Sequence, residues 1–502
     1  MGGDAERLVV GFSYSMLAGI LSSVFLYIAG LLVMGMLGPE EYGLYQLVFL
    51  VPALLSPILN FGIEITLVRF VSKFRVTDPD KAIKTANFLL LIRVIISLTA
   101  SLIIIILAPW IAGLLGESVT TGVRVAGIFL LGNMLYIFIQ SFFQSFFFMK
   151  QRTMVMIIHG LAYFAIVPVL IYLDFGYISP ILAFSISTYA GFLIGLILIW
   201  WKKIRLLPTT SRHDLQITDQ LRFATPTYII LLLGSLFAQA GIILIKLAGL
   251  EVIQIGFFRG VYNIVAVGSF VAVTLNVVIL PYVSELESKK NGETLNYFCS
   301  LIIKFLIMFA APASIGIYLV SQPALSIFLP QYLEAANLME ILSLVLLFSP
   351  IFTVAQTMLI GIGKPMLVLR ADAVSVISLF IIGGILVFNV GIEGVAYAYV
   401  LSMLISTIYS VFMLSRSVGL TLEFRFVFKV ALSTLVMAGA TFLIMNQIST
   451  PVIKLAACIP AGASIYLVMA LVLRVMSPED YRVIRKTLGI ARNKAYGRSK
   501  KD

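Results

Sequence analysis

Apolar runs of about twenty residues recur along the chain from Gly11 to Arg474, and most charges fall in the gaps between them. A helix needs about 20 apolar residues to cross the ~30 Å hydrocarbon core of a bilayer. The composition agrees, with 61% hydrophobic and only 12% charged residues, where soluble domains carry about 25% charged. An excess of this kind has no place in water. The pattern defines an all-α polytopic membrane protein.

Breaking the runs at Gly, Pro and charges predicts fourteen spans. The first six cover 11–36, 42–69, 87–109, 123–148, 154–173 and 179–201. The other eight cover 224–247, 254–281, 296–320, 336–360, 366–388, 391–415, 426–446 and 451–474. The charges test this division, because Lys and Arg accumulate in cytoplasmic loops. With both termini inside, all of the 35 Lys and Arg fall on the cytoplasmic side except Arg93, Arg124, Lys246, Arg259, Lys304 and Lys454. A missed span would scramble that alternation. The expected location is the plasma membrane, and the net charge of +12 is a topology signal rather than a nucleic-acid footprint. Cys299 and Cys458 lie far apart in apolar segments and suggest neither a disulfide framework nor a metal site. The start "MGGDAERLVV" lacks a basic n-region, so the first span is expected to act as the insertion signal. No cofactor is expected, and a monomer surrounded by membrane lipids is the expected state.

The chain carries weak internal similarity at an offset near 213 residues. "LGPEEYGLYQ" after the first span pairs with "AGLEVIQIGFFRG" after the seventh, aligning Gly38 with Gly249 and Gly43-x-Tyr45 with Gly256-x-Phe258. Lys150 aligns with Lys364, and Gly176, Ala183 and Phe184 with Gly391, Ala398 and Tyr399. An even six-helix shift preserves orientation, so this is a parallel repeat about an axis along the membrane normal. The expected organisation is an N-terminal lobe at 1–201, a polar cytoplasmic link at 202–222 and a C-terminal lobe at 223–415. The last two spans then occupy 416–476, followed by a basic tail at 477–502 expected to lie on the anionic inner leaflet. Two such lobes around a cavity are the architecture of an alternating-access transporter.

The stretches "LGPEEYGLYQ", "GIEITLVRFVSKF", "LNVVILPYVSEL" and "GIGKPML", together with the six-plus-six-plus-two plan, carry a resemblance. The chain resembles the polysaccharide transporter (O-unit flippase) branch of the multidrug/oligosaccharidyl-lipid/polysaccharide flippase superfamily. The resemblance implies movement of a polyprenyl- or dolichyl-(pyro)phosphate-linked oligosaccharide from the cytoplasmic to the outer leaflet. It also implies cationic side chains in the cavity, including an arginine in the eighth span, that hold the (pyro)phosphate.

Ionisable groups inside a span are costly and mark functional candidates. Arg259 lies about a turn into the eighth span with Asn263 on the same face, and a guanidinium fork suits phosphate. The other reading is an arginine at the outer interface. Lys246 shares a face with Gln239, or it snorkels outward. Arg69 stands at the cytoplasmic mouth, either meeting a head group or anchoring the second span. Asn133, Gln140 and Gln144 form one stripe of the fourth span beside Tyr136, suited to sugar hydroxyls or to bonds between helices, and Gln356 is their counterpart in the repeat. Glu64 stands nearly alone among carboxylates at depth. It is a candidate for coupling to H+ or Na+, or for an ion pair with Arg69 or Arg93.

A cation-coupled drug antiporter of the multidrug and toxin extrusion type is the alternative, expected to have about twelve helices and a carboxylate cluster. A membrane-embedded sugar polymerase is the lesser one, since the loops are short and the histidines are only His159 and His213.

Overall fold

The structure, a computed structural model, describes residues 2–202, 217–420 and 423–476. Most of the predicted polar link and the whole basic tail at 477–502 lie outside the described residues. Every regular element among the described residues is a helix. Twelve are long and apolar enough to cross a membrane, or thirteen if the pair Pro330–Ser343 and Val345–Gly361, bent by 44°, forms one span.

The difference from fourteen lies in that bent pair, which covers the predicted span 336–360, and at the start. The predicted spans 11–36 and 42–69 share one helical run, Gly2–Ile58, broken in its backbone at Gly38 (φ 75°, ψ 173°). Such a positive φ suits glycine, and Pro39 cannot donate the hydrogen bond that would carry the first helix onward. Gly249, the counterpart of Gly38 in the repeat, also has positive φ (70°). Both copies therefore place a glycine of positive φ before their second helix.

The predicted span 42–69 is not one helix. It stops at Ile58, turns through Phe61 and Gly62 (both of positive φ), and resumes as Ile63–Thr66. A π-helical stretch, Leu67–Val71, follows. π segments leave backbone groups out of register and occur often at functional sites. Beyond it, Asp78 accepts a hydrogen bond from the Lys81 amide (3.0 Å) and Pro79 occupies the first turn, which starts the Pro79–Ile106 helix.

Burial is inverted relative to a soluble protein. The Pro79–Ile106 helix buries Arg93, Ser97 and Ser101 while Leu98, Leu102 and Ile106 are exposed, the last at 73%. Ile392–Val418 likewise buries Ser402, Ser406 and Ser410, one per turn. Lipid is as apolar as leucine, so helices associate through small residues and hydrogen bonds instead. Ser101 Oγ donates to the Gly127 carbonyl (2.8 Å), joining two helices in this way. Glycines serve the same end. A Cβ on Gly191 would lie 2.8 Å from Tyr136 Cε2. Gly191→Val is therefore expected to destabilise the fold by about 1–3 kcal/mol, read as a lower melting temperature of the purified protein.

The chain divides into two compact units. One comprises Met1–Gly260 and Gly383–Val395, the other Val261–Ile382 and Ala396–Asp502. The first holds two apolar cores, one around Phe138, Phe142, Phe143 and Leu67, the other around Val48, Val123, Phe129 and Ile181. The second holds a core that includes Ala311, Phe426 and Val430.

Candidate substrate site

Three helices of the first unit converge on Arg259. Its Nε donates to Gln46 Oε1 (3.3 Å), Nη1 to the Ala238 carbonyl (3.0 Å) and Nη2 to Gln239 Oε1 (3.0 Å). The residue is only 8% exposed. Among the described residues no carboxylate lies within 4 Å of it. A buried cation normally carries a paired anion because its desolvation is expensive. Here three neutral acceptors take three of its five N–H groups, leaving a full positive charge and two donors. That arrangement suits an anion.

The local sequence explains the convergence. A Cβ on Gly43 would collide with the Val252 carbonyl, and a Cβ on Gly256 with the Pro39 carbonyl. Without those atoms the two helix backbones pack directly against each other. Gln46 and Arg259 each follow their glycine by three residues, so the close approach brings them together. Asn263 lies one turn further along the Val252–Ala266 helix, half-buried.

The other predicted residues are placed differently. Lys246 does not join Gln239. Its Nζ meets Glu117 Oε1 at 3.2 Å, with both side chains partly exposed. Exposed pairs contribute about 0–1 kcal/mol, so Lys246→Met is expected to leave the melting temperature within about 3 °C and transport unchanged. Glu64 is buried against the Arg93 guanidinium, and Arg93, 1% exposed, also reaches the Leu59 carbonyl (3.4 Å). That carbonyl sits where the second predicted span breaks.

The stripe on Thr120–Ser145 is divided between roles. Gln140 Nε2 donates to Tyr136 Oη (2.7 Å) and its Oε1 accepts from Arg152 Nε (3.3 Å), while Tyr136 stacks on His159 at 4.5 Å. Those groups serve one another. Gln144 instead lines a cavity of about 550 Å3 with Glu64, Ile65, Val68, Arg69 and Ser141, so the π-helical stretch forms one wall. Asn133 is half-buried, about 10 Å along the helix from Gln140.

Glu64 is not the lone carboxylate at depth. In the second unit Asp372, 7% exposed, accepts a hydrogen bond from Gln356 Nε2 and has no cation within 4 Å among the described residues. Its place seven residues into Pro365–Val390, three before the buried Ser375 on the same face, was the available signal.

Many apolar helices around a buried guanidinium define a polytopic helical membrane protein with a polar site inside it. The sequence profile of the family described as "Polysaccharide biosynthesis protein" matches residues 8–287, and the chain belongs to that family. It is 25% identical over 190 residues to the probable low-salt glycan biosynthesis flippase Agl15 of Haloferax volcanii. That match covers 38% of this chain and 40% of the relative, so it spans about two fifths of the relative's length. The fold is that of the lipid II flippase MurJ in an inward closed conformation, with a TM-score of 0.71 at 16% identity, covering 91% of this chain and 99% of the other. An inward-facing multidrug transporter of the MATE family gives 0.67 at 18% identity, covering 82% and 98%. The chain thus shares its fold with a flippase and with a multidrug transporter.

Proposed function

We propose that this chain flips a glycan linked to a polyprenyl or dolichyl (di)phosphate from the cytoplasmic to the outer leaflet of the plasma membrane by alternating access. The observation that supports this most is Arg259, a buried guanidinium with neutral partners and two uncommitted N–H groups. Two donors in a planar fork match two phosphate oxygens, and a charge-assisted bond of this type is about twice as strong as a neutral one. In this reading Gln239 and the Ala238 carbonyl hold the guanidinium plane, and Gln144 and Arg69 meet the head group or its first sugar on entry. The lipid tail stays in the bilayer, so only the polar head is moved. The lobes at 1–201 and 223–415 are the rocking parts, with both chain ends cytoplasmic.

Asp372 supports a second reading, a cation-coupled antiporter of organic cations, because a buried carboxylate whose partner among the described residues is an amide suits a coupling ion or a cationic solute. Proteoliposomes separate the two. With a fluorescent isoprenyl-diphosphate disaccharide in both leaflets, a membrane-impermeant reductant should bleach the inner-leaflet pool only when the protein is present. Bleaching that stops at the outer leaflet, together with gradient-driven uptake of ethidium, would move the assignment to the antiporter.

A further inference from the structure

The two copies of the Gly-x-aromatic unit do not merely resemble each other; they touch, and in a reciprocal way. Gly43 faces the carbonyl of Val252, four residues before Gly256, and Gly256 faces the carbonyl of Pro39, four residues before Gly43. Three residues beyond the glycines, the counterparts Gln46 and Arg259 are joined by a hydrogen bond. Backbone packed on backbone gives a close approach but few directional bonds, and the Gln46–Arg259 bond supplies one at the same crossing.

The three bonds on Arg259 are unequal. Those to Ala238 and Gln239 are 3.0 Å long, and the one to Gln46 is 3.3 Å. The first two hold Arg259 to the Ile217–Leu247 helix within its own copy, while the third crosses to the other copy. An anionic phosphate oxygen competes well for that N–H, since charge-assisted bonds are shorter and stronger than those to a neutral amide.

We propose that Gln46 is a latch. It keeps the helix ends at Gly43 and Gly256 together by occupying an Arg259 N–H that a phosphate oxygen takes over, so anion capture and separation of these ends form one equilibrium. This rests on the reading of Arg259 as the phosphate ligand. A ligand shifts a two-state equilibrium only through its difference in affinity for the two states. The latch creates that difference, because the closed state has committed a donor that the separated state leaves free. Gln46 is thereby a positioning residue, acting through Arg259 rather than on the substrate.

The test uses the full-length protein in lipid nanodiscs, with spin labels at Glu40→Cys and Glu251→Cys, two exposed positions beside the crossing. Electron–electron resonance reads the distance, and farnesyl diphosphate is the probe. In the otherwise wild-type protein the probe should lengthen the distance. Gln46→Leu should lengthen it without probe, shift the population by about tenfold, and tighten probe binding by the same factor, as linkage requires. Gln46→Glu, nearly isosteric, should pair with the guanidinium, hold the ends together and weaken probe binding. A purely structural glutamine would not respond to the two variants in opposite directions. Unchanged distances, or shifts of the same sign in both variants, overturn the latch. Loss of probe binding in Arg259→Gln would then leave the phosphate site standing. A probe that binds Arg259→Gln as well as wild type, or binds neither, overturns the phosphate reading and the latch with it.

Discussion

Arg259→Gln is expected to reduce flipping by at least about 100-fold while the protein still folds and reaches the membrane. The magnitude follows from the burial. Two charge-assisted bonds to a phosphate in a dry site contribute about 1.5–3 kcal/mol each, and every 1.4 kcal/mol is tenfold. The fold should survive because, among the described residues, Arg259 is held only by Gln46, Gln239 and the Ala238 carbonyl. A glutamine leaves no charge buried without a partner, so the variant also relieves a desolvation cost. Arg259→Lys should fall between the two, since it keeps the charge but cannot bond Gln239, the Ala238 carbonyl and phosphate in one plane. Flipping rates, set against protein amount in the same vesicles, read the order wild type, Lys, Gln. A Gln variant as active as wild type would return Arg259 to the interface anchor that its sequence position also allows.

Glu64→Leu alone and Arg93→Leu alone should each cost about 3–5 kcal/mol, because each leaves one buried charge without its counter-ion. The double variant should recover most of that loss, since neither charge then remains to be desolvated. The check is a double-mutant cycle on thermal unfolding in detergent. Additive losses would show that the two side chains do not depend on each other. The same double variant also separates two roles for Glu64. If transport persists once stability returns, the pair braces the break at Leu59 to which Arg93 is bonded. If transport fails in a stable protein, Glu64 has the coupling role that its isolation in the sequence suggested.

The spans were legible because a bilayer demands about twenty apolar residues per crossing, a signal carried by each segment alone. Breaks were legible where glycine and proline mark them, as at Gly38 and Pro39. They were not legible inside "NFGIEITLV", where the helix stops after Ile58 and continues as a π-helical stretch at Leu67–Val71. Pro57 and Gly62 border that site without foretelling its form, and Phe61 takes a positive φ that side chains rarely adopt. Conversely, Pro312 and Pro323 lie within the unbroken Gly292–Phe328 helix.

Arg259 and Gln239 were each visible as polar groups in apolar spans, but their bond depends on how two helices pack. Gln46 was visible only as the counterpart of Arg259 in the repeat. The partner of Lys246, Glu117, was not visible because it lies 129 residues away in a loop. Asp372 was overlooked because, beside Arg370 near the start of a span, it resembles a residue of the loop before it.

Deleting the gene from its host and following lipid-linked glycans in each leaflet tests the central claim most directly. The account predicts that one isoprenyl-(di)phosphate glycan accumulates in the cytoplasmic leaflet while its polymer or glycoprotein product disappears from the cell surface. Wild-type protein should reverse both changes, and Arg259→Gln should reverse neither. Delivery of every lipid-linked glycan to the outer leaflet at the normal rate in the deletion strain would contradict it.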